Sequence, residues 1–228
     1  MAHKPGPLAV MGGAFDPVHL GHLRTATELM QVCDLAEVRF VPSANPPHRP
    51  PHIAGANLRV QMLEAATADS AVFAVDRREL ERSGPSYSHT TFSELRAEQG
   101  ERSLCMIVGM DAFLGLTKWH RWQELCELAH LLVAHRPGWL LPEVGELGEF
   151  FKSRICTDPR VLQQAPAGHL FIHEVTQLEI SSSAVRAEVA RGGDSRYLVP
   201  ESVRRLLLDS GCYENRNAVP PQEKSAHA

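Results

Sequence analysis

Cysteine, long apolar runs and excess positive charge are all scarce in this chain of 228 residues. The five cysteines (Cys33, Cys105, Cys126, Cys156 and Cys212) are scattered, odd in number, and form no Cys-x-x-Cys pair. That pattern excludes a disulfide framework or a zinc knuckle and predicts reduced, mostly core thiols of a cytoplasmic protein. No apolar run is long enough to span a bilayer, and Met1 to Pro7 lacks the apolar centre of a signal peptide, so no membrane partner is expected. Lys and Arg total 23 against 27 Asp and Glu, a net charge of −4. This balance argues against a nucleic-acid partner, although it leaves room for a local basic pocket around a small anion. What is present is ordinary globular composition, 43% hydrophobic and 22% charged, long enough for one domain with a sizeable core.

Along the chain, short apolar runs alternate with amphipathic ones, the mark of βαβ units and a parallel sheet. Strands are expected at Leu8–Met11, Val38–Val41, Val72–Val75, Leu104–Val108, Leu131–Ala134 and Leu170–His173. Helices are expected at Leu23–Val32, Leu58–Ala66, His89–Gln99, Ser182–Ala190 and Val199–Leu208, with a further helical region opening at Gly109–Asp111. The proline-rich stretch Ser43–Gly55 reads as a loop, and Asp76–Ser88 as charged turns. The reading is therefore an α/β, Rossmann-like, doubly wound sheet of five or six strands. One domain is expected over 1–215, with an insertion of irregular or short helical structure at 139–168. A helical C-terminal portion follows at 181–213, and then a disordered polar tail at 216–228. Ligands of such sheets bind at the carboxyl ends of the strands. Gly12, Pro42, Asp76, Gly109 and Arg136 all stand there in this reading.

The stretch from Gly12 to His22, Gly-Gly-Ala-Phe-Asp-Pro-Val-His-Leu-Gly-His, lies between the first strand and the first helix. A glycine turn feeding a helix N-terminus offers backbone N–H groups and the positive end of a dipole to an anion. His19 and His22 share one face of the first turn and can converge on that anion. The stretch is neither a Walker loop nor a dinucleotide fingerprint. A second element, Ile180-Ser181-Ser182-Ser183-Ala184-Val185-Arg186, combines a helix cap, hydroxyls and an arginine, the parts of a second anion site.

These two elements resemble the paired motifs of the nucleotidyltransferases related in fold to class I aminoacyl-tRNA synthetases. Together they point to the bacterial nicotinate-mononucleotide adenylyltransferases, from about Leu8 to Tyr213. The resemblance implies adenylyl transfer from ATP to nicotinate mononucleotide, with Mg²⁺ carried in on the ATP. It implies that His19, His22 and Arg186 act on the phosphates. Gly12, Gly13, Ala14, Phe15, Gly109, Asp111, Ile180, Ser182 and Ser183 would hold ATP. His48 and Arg49 in Pro46-Pro47-His48-Arg49, Tyr87 and Ser88 in Ser86-Tyr87-Ser88, Trp119 and Arg136 would hold the acceptor. Trp119 would stack on the pyridine ring and Trp122 would pack the core. Ser183 and Ser88 replace commoner threonines, and Thr90 stands where many members carry aspartate.

Adenylyl transfer suits such a residue set. A phosphate monoester is already anionic at neutral pH, so no nucleophile needs activation; the task is to align two polyanions and absorb charge. Asp16 is expected to fix its turn by accepting backbone N–H bonds, and Asp111 to cap a helix. Other readings are a zinc site at Asp16, His19 and His22, another phosphorylated acceptor (nicotinamide mononucleotide or pantetheine phosphate), and a catalytically silent nucleotide-binding module. A tRNA synthetase is disfavoured by length and by acidic balance. Nothing in the sequence specifies an oligomeric state.

Overall fold

The computed structural model describes residues 5–47, 51–135, 144–176 and 178–214. The first half runs β1 (Leu8–Gly13), α1 (Leu20–Val32), β2 (Glu37–Pro42), α2 (Ala56–Thr67) and β3 (Phe73–Val75). After a short α3 (Arg78–Glu81) come α4 (Ser88–Gln99), β4 (Leu104–Gly109), α5 (Met110–Leu114), α6 (Leu125–Leu128) and β5 (His130–His135). The remainder holds α7 (Gly145–Phe151), β6 (Ile155–Cys156), β7 (Leu170–Glu174), α8 (Ser182–Ala190) and α9 (Glu201–Ser210). The strands form one parallel sheet in the order β3-β2-β1-β4-β5-β7-β6. This is the doubly wound α/β architecture, with seven strands in place of five or six.

Period-two alternation sorts the strand side chains into two layers. Ala9, Met11, Phe40, Cys105, Ile107, Leu132 and Phe171 face a core shared with α1, α2, α8 and α9. Leu8, Val10, Leu104, Met106, Val108, Leu131 and Val133 face the other core, which α4, α5, α6 and α7 cover. Because both faces are buried, the central strands read as unbroken apolar runs, which is why they were visible in the sequence. Cys33, Cys105 and Cys126 are buried free thiols, and burial raises the thiol pKa of Cys33 and Cys126 to about 12.

Three local features differ from expectation. Helix α1 begins at Leu20 because the carbonyl of Leu198, far along the chain, accepts the Leu20 N–H. Within the charged turns, Asp76 accepts both the backbone N–H and the guanidinium of Arg78, holding α3 in place. The described part of the expected insertion contributes α7 and also a two-residue edge strand, with Ile155 opposite Leu170 and Cys156 opposite Phe171. Two residues are too few for any periodicity to reveal. The tail at 216–228 lies outside the described residues. Among the described residues no helix is long and apolar enough to cross a membrane.

Candidate active site

The chain leaves β3 for β4 on the opposite side of β1, so the direction of winding reverses between β1 and β4. At that reversal the two strands part. Strand β1 stays paired with β2 as far as Gly13 opposite Pro42, but with β4 only as far as Met11 opposite Ile107. Such a switch point opens a crevice at the carboxyl ends of the strands. A Cβ placed on Gly12 would meet no atom within 4 Å, so the backbone there fronts open space. A cavity of about 270 Å³ occupies the crevice, and Gly12, Gly13, Ala14, Tyr87, Ser88, Asp111 and Trp119 all line it.

Beside that cavity the chain turns into α1. His19 is the extended N-cap residue, with φ −143° and ψ 169°, and His22 is the third helical residue. Their rings stack with centroids 3.7 Å apart. His22 Nδ1 accepts the His19 backbone N–H at 3.3 Å, which leaves the proton of a neutral His22 ring on Nε2. The His22 backbone N–H, which faces the His19 side chain in capping-box fashion, is spent at 3.0 Å on the His19 carbonyl, so the buried His19 Nδ1 is left without a hydrogen bond. Burial lowers the His19 pKa to about 4, and burial together with neighbouring His19 lowers that of His22. Both rings are therefore neutral at neutral pH until an anion is placed against them. The intervening glycine is a packing requirement: a Cβ on Gly21 would lie 3.0 Å from His19 Nδ1 and 3.6 Å from the Ile180 carbonyl oxygen.

The second motif abuts the first. Ser182 Oγ donates to the Pro17 carbonyl at 2.8 Å, and Arg186 Nη1 donates to the Asp16 carbonyl at 2.6 Å. Ser181 caps α8 by accepting the Ala184 N–H, and its hydroxyl also pairs with that of Ser183. No acidic side chain stands in the first turn of α1, α4 or α8, so the positive ends of these dipoles are uncompensated. Phe15 has φ 45°, unusual for a bulky residue. Its ring is buried against Phe40 and His22, so what it offers the crevice is backbone. Asp16 does accept backbone N–H bonds, but from Ile53 and Ala54 of a distant loop and not from its own turn.

The acceptor side is built around the N-terminus of α4. Tyr87 caps it without a side-chain hydrogen bond, and its ring stacks on His120 at 4.5 Å. Buried Glu79 accepts the Thr91 hydroxyl, which in turn accepts from Arg82. Gly109 is the N-cap of α5, so Asp111 stands at the second helical position and not at the cap. Trp122 is buried in the core, as expected. His48, Arg49 and Arg136 lie outside the described residues.

Sequence reasoning missed His120 and Glu79, which line the cavity, and Arg59. The Arg59 side chain is fully buried and donates to the carbonyls of Ala14 and Ser43. A lone arginine in an amphipathic helix gives no sequence signal of this. The cavity gathers Gly12, Gly13, Ala14, Tyr87, Ser88, Asp111 and Trp119 of the nominated residues, but Phe15, Gly109 and Ile180 are not part of its lining. His19 and His22 adjoin each other, and Ser182 and Arg186 meet their loop, outside it. Imidazoles, hydroxyls, a guanidinium and helix N-termini suit anions. Among the described residues no three His, Cys, Asp or Glu side chains gather into a metal cage. The Asp16 carboxylate is committed to its protein donors.

Comparison with known proteins agrees with this geometry. The cytidylyltransferase-like family model matches residues 10–188. A Methylococcus capsulatus protein named probable nicotinate-nucleotide adenylyltransferase is 44% identical over 90% of this chain and 99% of its own length. A Halorhodospira halophila protein of the same name is 43% identical, over 90% of this chain and 94% of its own. Among solved structures, Plasmodium falciparum nicotinic acid mononucleotide adenylyltransferase complexed with NaAD shares the fold. Its TM-score is 0.69 at 14% identity, covering 91% of this chain and 97% of that one. On the extent of these matches, the chain belongs to the cytidylyltransferase-like family, among the nicotinate-nucleotide adenylyltransferases.

Proposed function

We propose that this chain transfers the adenylyl group of ATP, taken as its Mg²⁺ complex, to nicotinate mononucleotide, yielding nicotinate adenine dinucleotide and pyrophosphate. The observation that carries this reading is the contact between the two anion-holding motifs, Ser182 on Pro17 and Arg186 on Asp16, beside a cavity walled by Tyr87 and Trp119. A family whose relatives are named for this reaction supports the choice of substrates.

In this reading an oxygen of the acceptor phosphate attacks the α-phosphorus of ATP. The new P–O bond forms as the bond to the bridging oxygen of pyrophosphate breaks, and no proton has to be removed from the attacking group. His19, His22, Arg186 and the N-terminus of α8 at Ser182 and Ser183 hold the leaving phosphates and absorb their developing charge. The unpartnered nitrogen of His19 supplies a site for one phosphate contact. Ala14, the Gly12–Gly13 backbone, Gly109, Asp111 and Ile180 hold the nucleoside portion of ATP. Trp119 stacks on the pyridine ring, and the uncapped start of α4 at Tyr87 and Ser88 receives the nicotinate carboxylate. His48, Arg49 and Arg136 contact the acceptor phosphate.

Pyrophosphate release from ATP and Mg²⁺, measured with nicotinate mononucleotide and with its amide, tests the reading. Turnover with the acid and little with the amide is expected. Equal rates would remove the carboxylate pocket at Tyr87 and Ser88, and release with neither would overturn the reaction.

A further inference from the structure

Asp16 lies three residues before His19 in the phosphate-binding loop, and its side chain is almost wholly buried. Oδ2 accepts the Ile53 N–H at 2.8 Å and Oδ1 accepts the Ala54 N–H at 3.0 Å. A third donor reaches Oδ1 from the far end of the described chain: the hydroxyl of Tyr213, at 2.5 Å. Tyr213 is itself buried and follows the end of α9, where Gly211 takes the left-handed conformation that turns the chain inward. Burial first, and then the bond to Asp16, holds the phenol well above its ordinary pKa, so it remains a donor. Arg59 and Arg186 flank this pair: Arg59 is held on Ala14 and Ser43, and Arg186 on the Asp16 carbonyl.

We propose that Tyr213 is a positioning residue for catalysis, setting the placement of the phosphate-binding loop through its hydrogen bond to the Asp16 carboxylate. The inference rests on the adenylyl-transfer reading above. The carbonyls of Ala14, Asp16 and Pro17 and the carboxylate of Asp16 are all tied to donors outside the loop. The loop is therefore held as a rigid clamp from which His19 and His22 project. Unlike the donors Ser182 and Arg186, Tyr213 is not nominated for ligand contact, so its loss leaves every nominated residue chemically unchanged. Without its O–H, Oδ1 keeps only the Ala54 N–H, and a buried carboxylate short of one donor turns toward the remaining cations. A shift of this kind moves His19 relative to the α-phosphorus, and small misplacements of catalytic groups are costly in rate. Because ATP affinity is spread over two motifs and the nucleoside cavity, the effect falls on kcat and not on KM.

The test is Tyr213→Phe in the full-length chain, assayed for pyrophosphate release, with Leu207→Ala as a control that weakens the buried face of α9 without touching the bond. Tyr213→Phe is expected to lower kcat by about 10-fold or more with KM for ATP within about 2-fold. Leu207→Ala should lower the melting temperature while keeping kcat in the range where it is folded. Adding Tyr213→Phe to Asp16→Ala should cost little more than Asp16→Ala alone, because alanine removes the acceptor that the phenol serves. A folded Tyr213→Phe with wild-type kcat, a kcat loss equalled by Leu207→Ala, or additivity with Asp16→Ala would each overturn the proposal. If Tyr213→Phe does not fold, a 4-fluorophenylalanine substituted for Tyr213 keeps the ring and fills the place of the hydroxyl while removing the O–H donor. A changed kcat then supports the proposal and an unchanged one overturns it. A wild-type chain releasing no pyrophosphate would instead defeat the adenylyl-transfer reading itself.

Discussion

Two stacked histidine pairs lie at opposite ends of this sheet, and they answer burial in the same way but satisfy it differently. At the amino end, His130 is fully buried and stacks on His169 at 5.3 Å. Its Nδ1 accepts the His169 N–H at 3.0 Å and its Nε2 meets the Ala165 carbonyl at 2.9 Å. At the carboxyl end, His19 stacks on His22 at 3.7 Å, with its Nδ1 buried and unpartnered. Burial lowers both His19 and His130 to a pKa of about 4. A perturbed pKa therefore does not separate a structural histidine from one awaiting a ligand. Between these two rings the difference is the hydrogen bond that His130 has on both nitrogens and His19 Nδ1 lacks.

Replacing each buried histidine by alanine should separate the two pairs most sharply. His19→Ala should lower kcat for pyrophosphate release by about 10²–10³-fold, the range seen when a charge-stabilising donor is removed, with little loss of stability. His130→Ala should leave kcat near wild type but cost about 2–4 kcal/mol of unfolding free energy, since it opens a cavity and strands two backbone partners. Denaturant melts beside steady-state kinetics separate the two outcomes. Equal kinetic damage from both variants would dissolve the distinction.

A milder perturbation reaches the same ring from its neighbour. Gly21→Ala brings a Cβ to 3.0 Å from His19 Nδ1, where the ring must yield although the backbone of α1 accepts alanine readily. The expected result is a helix of unchanged or slightly greater stability and a kcat reduced about 10-fold by the displaced imidazole. Wild-type kinetics in this variant would show that the position of His19 is not critical.

Much of this was legible in the sequence, for identifiable reasons. The central strands are buried on both faces and so announce themselves as apolar runs. The two anion motifs are contiguous stretches whose residue types match their chemistry. What escaped was non-local: the Leu198 carbonyl that starts α1 early, the Arg59 side chain behind the loop, and the Tyr213 bond to Asp16, 197 residues apart. No spacing rule encodes a contact made only by tertiary folding. Asp16 illustrates the limit, because its role as an N–H acceptor could be read from its type, whereas its partners could not.

Acidification should act on the two histidine pairs with opposite sign. His130 has a folded-state pKa below the ordinary 6.5, so it is neutral when folded and takes up a proton on unfolding. Its contribution is fully present above about pH 6.5 and is lost as pH falls toward about 4, by up to about 3 kcal/mol. His130→Gln should flatten that acid limb in urea melts taken across the window. At His19 and His22 a bound polyphosphate favours the protonated rings, so pyrophosphate affinity should rise as pH falls through the same window, with proton uptake visible in calorimetry. Affinity that is flat with pH would mean the rings stay neutral in the complex.

The smallest expected effect separates two neighbouring serines at the carboxyl end. Ser181 accepts the Ala184 N–H and otherwise pairs only with the Ser183 hydroxyl of the same helix, so Ser181→Ala should cost about 1 kcal/mol of stability, as lost caps do, with kcat within about 2-fold. Ser182 instead donates to the carbonyl of buried Pro17, the residue between Asp16 and Val18 in the loop that carries His19. Ser182→Ala leaves that carbonyl without its donor, at a similar cost of about 1 kcal/mol, but it also loosens the joint between the two motifs. Its kcat should fall by several-fold beyond that of Ser181→Ala, although the two lose equal stability. Matching kinetics in variants of matched stability would show that the joint at Pro17 holds the fold and not the reacting geometry.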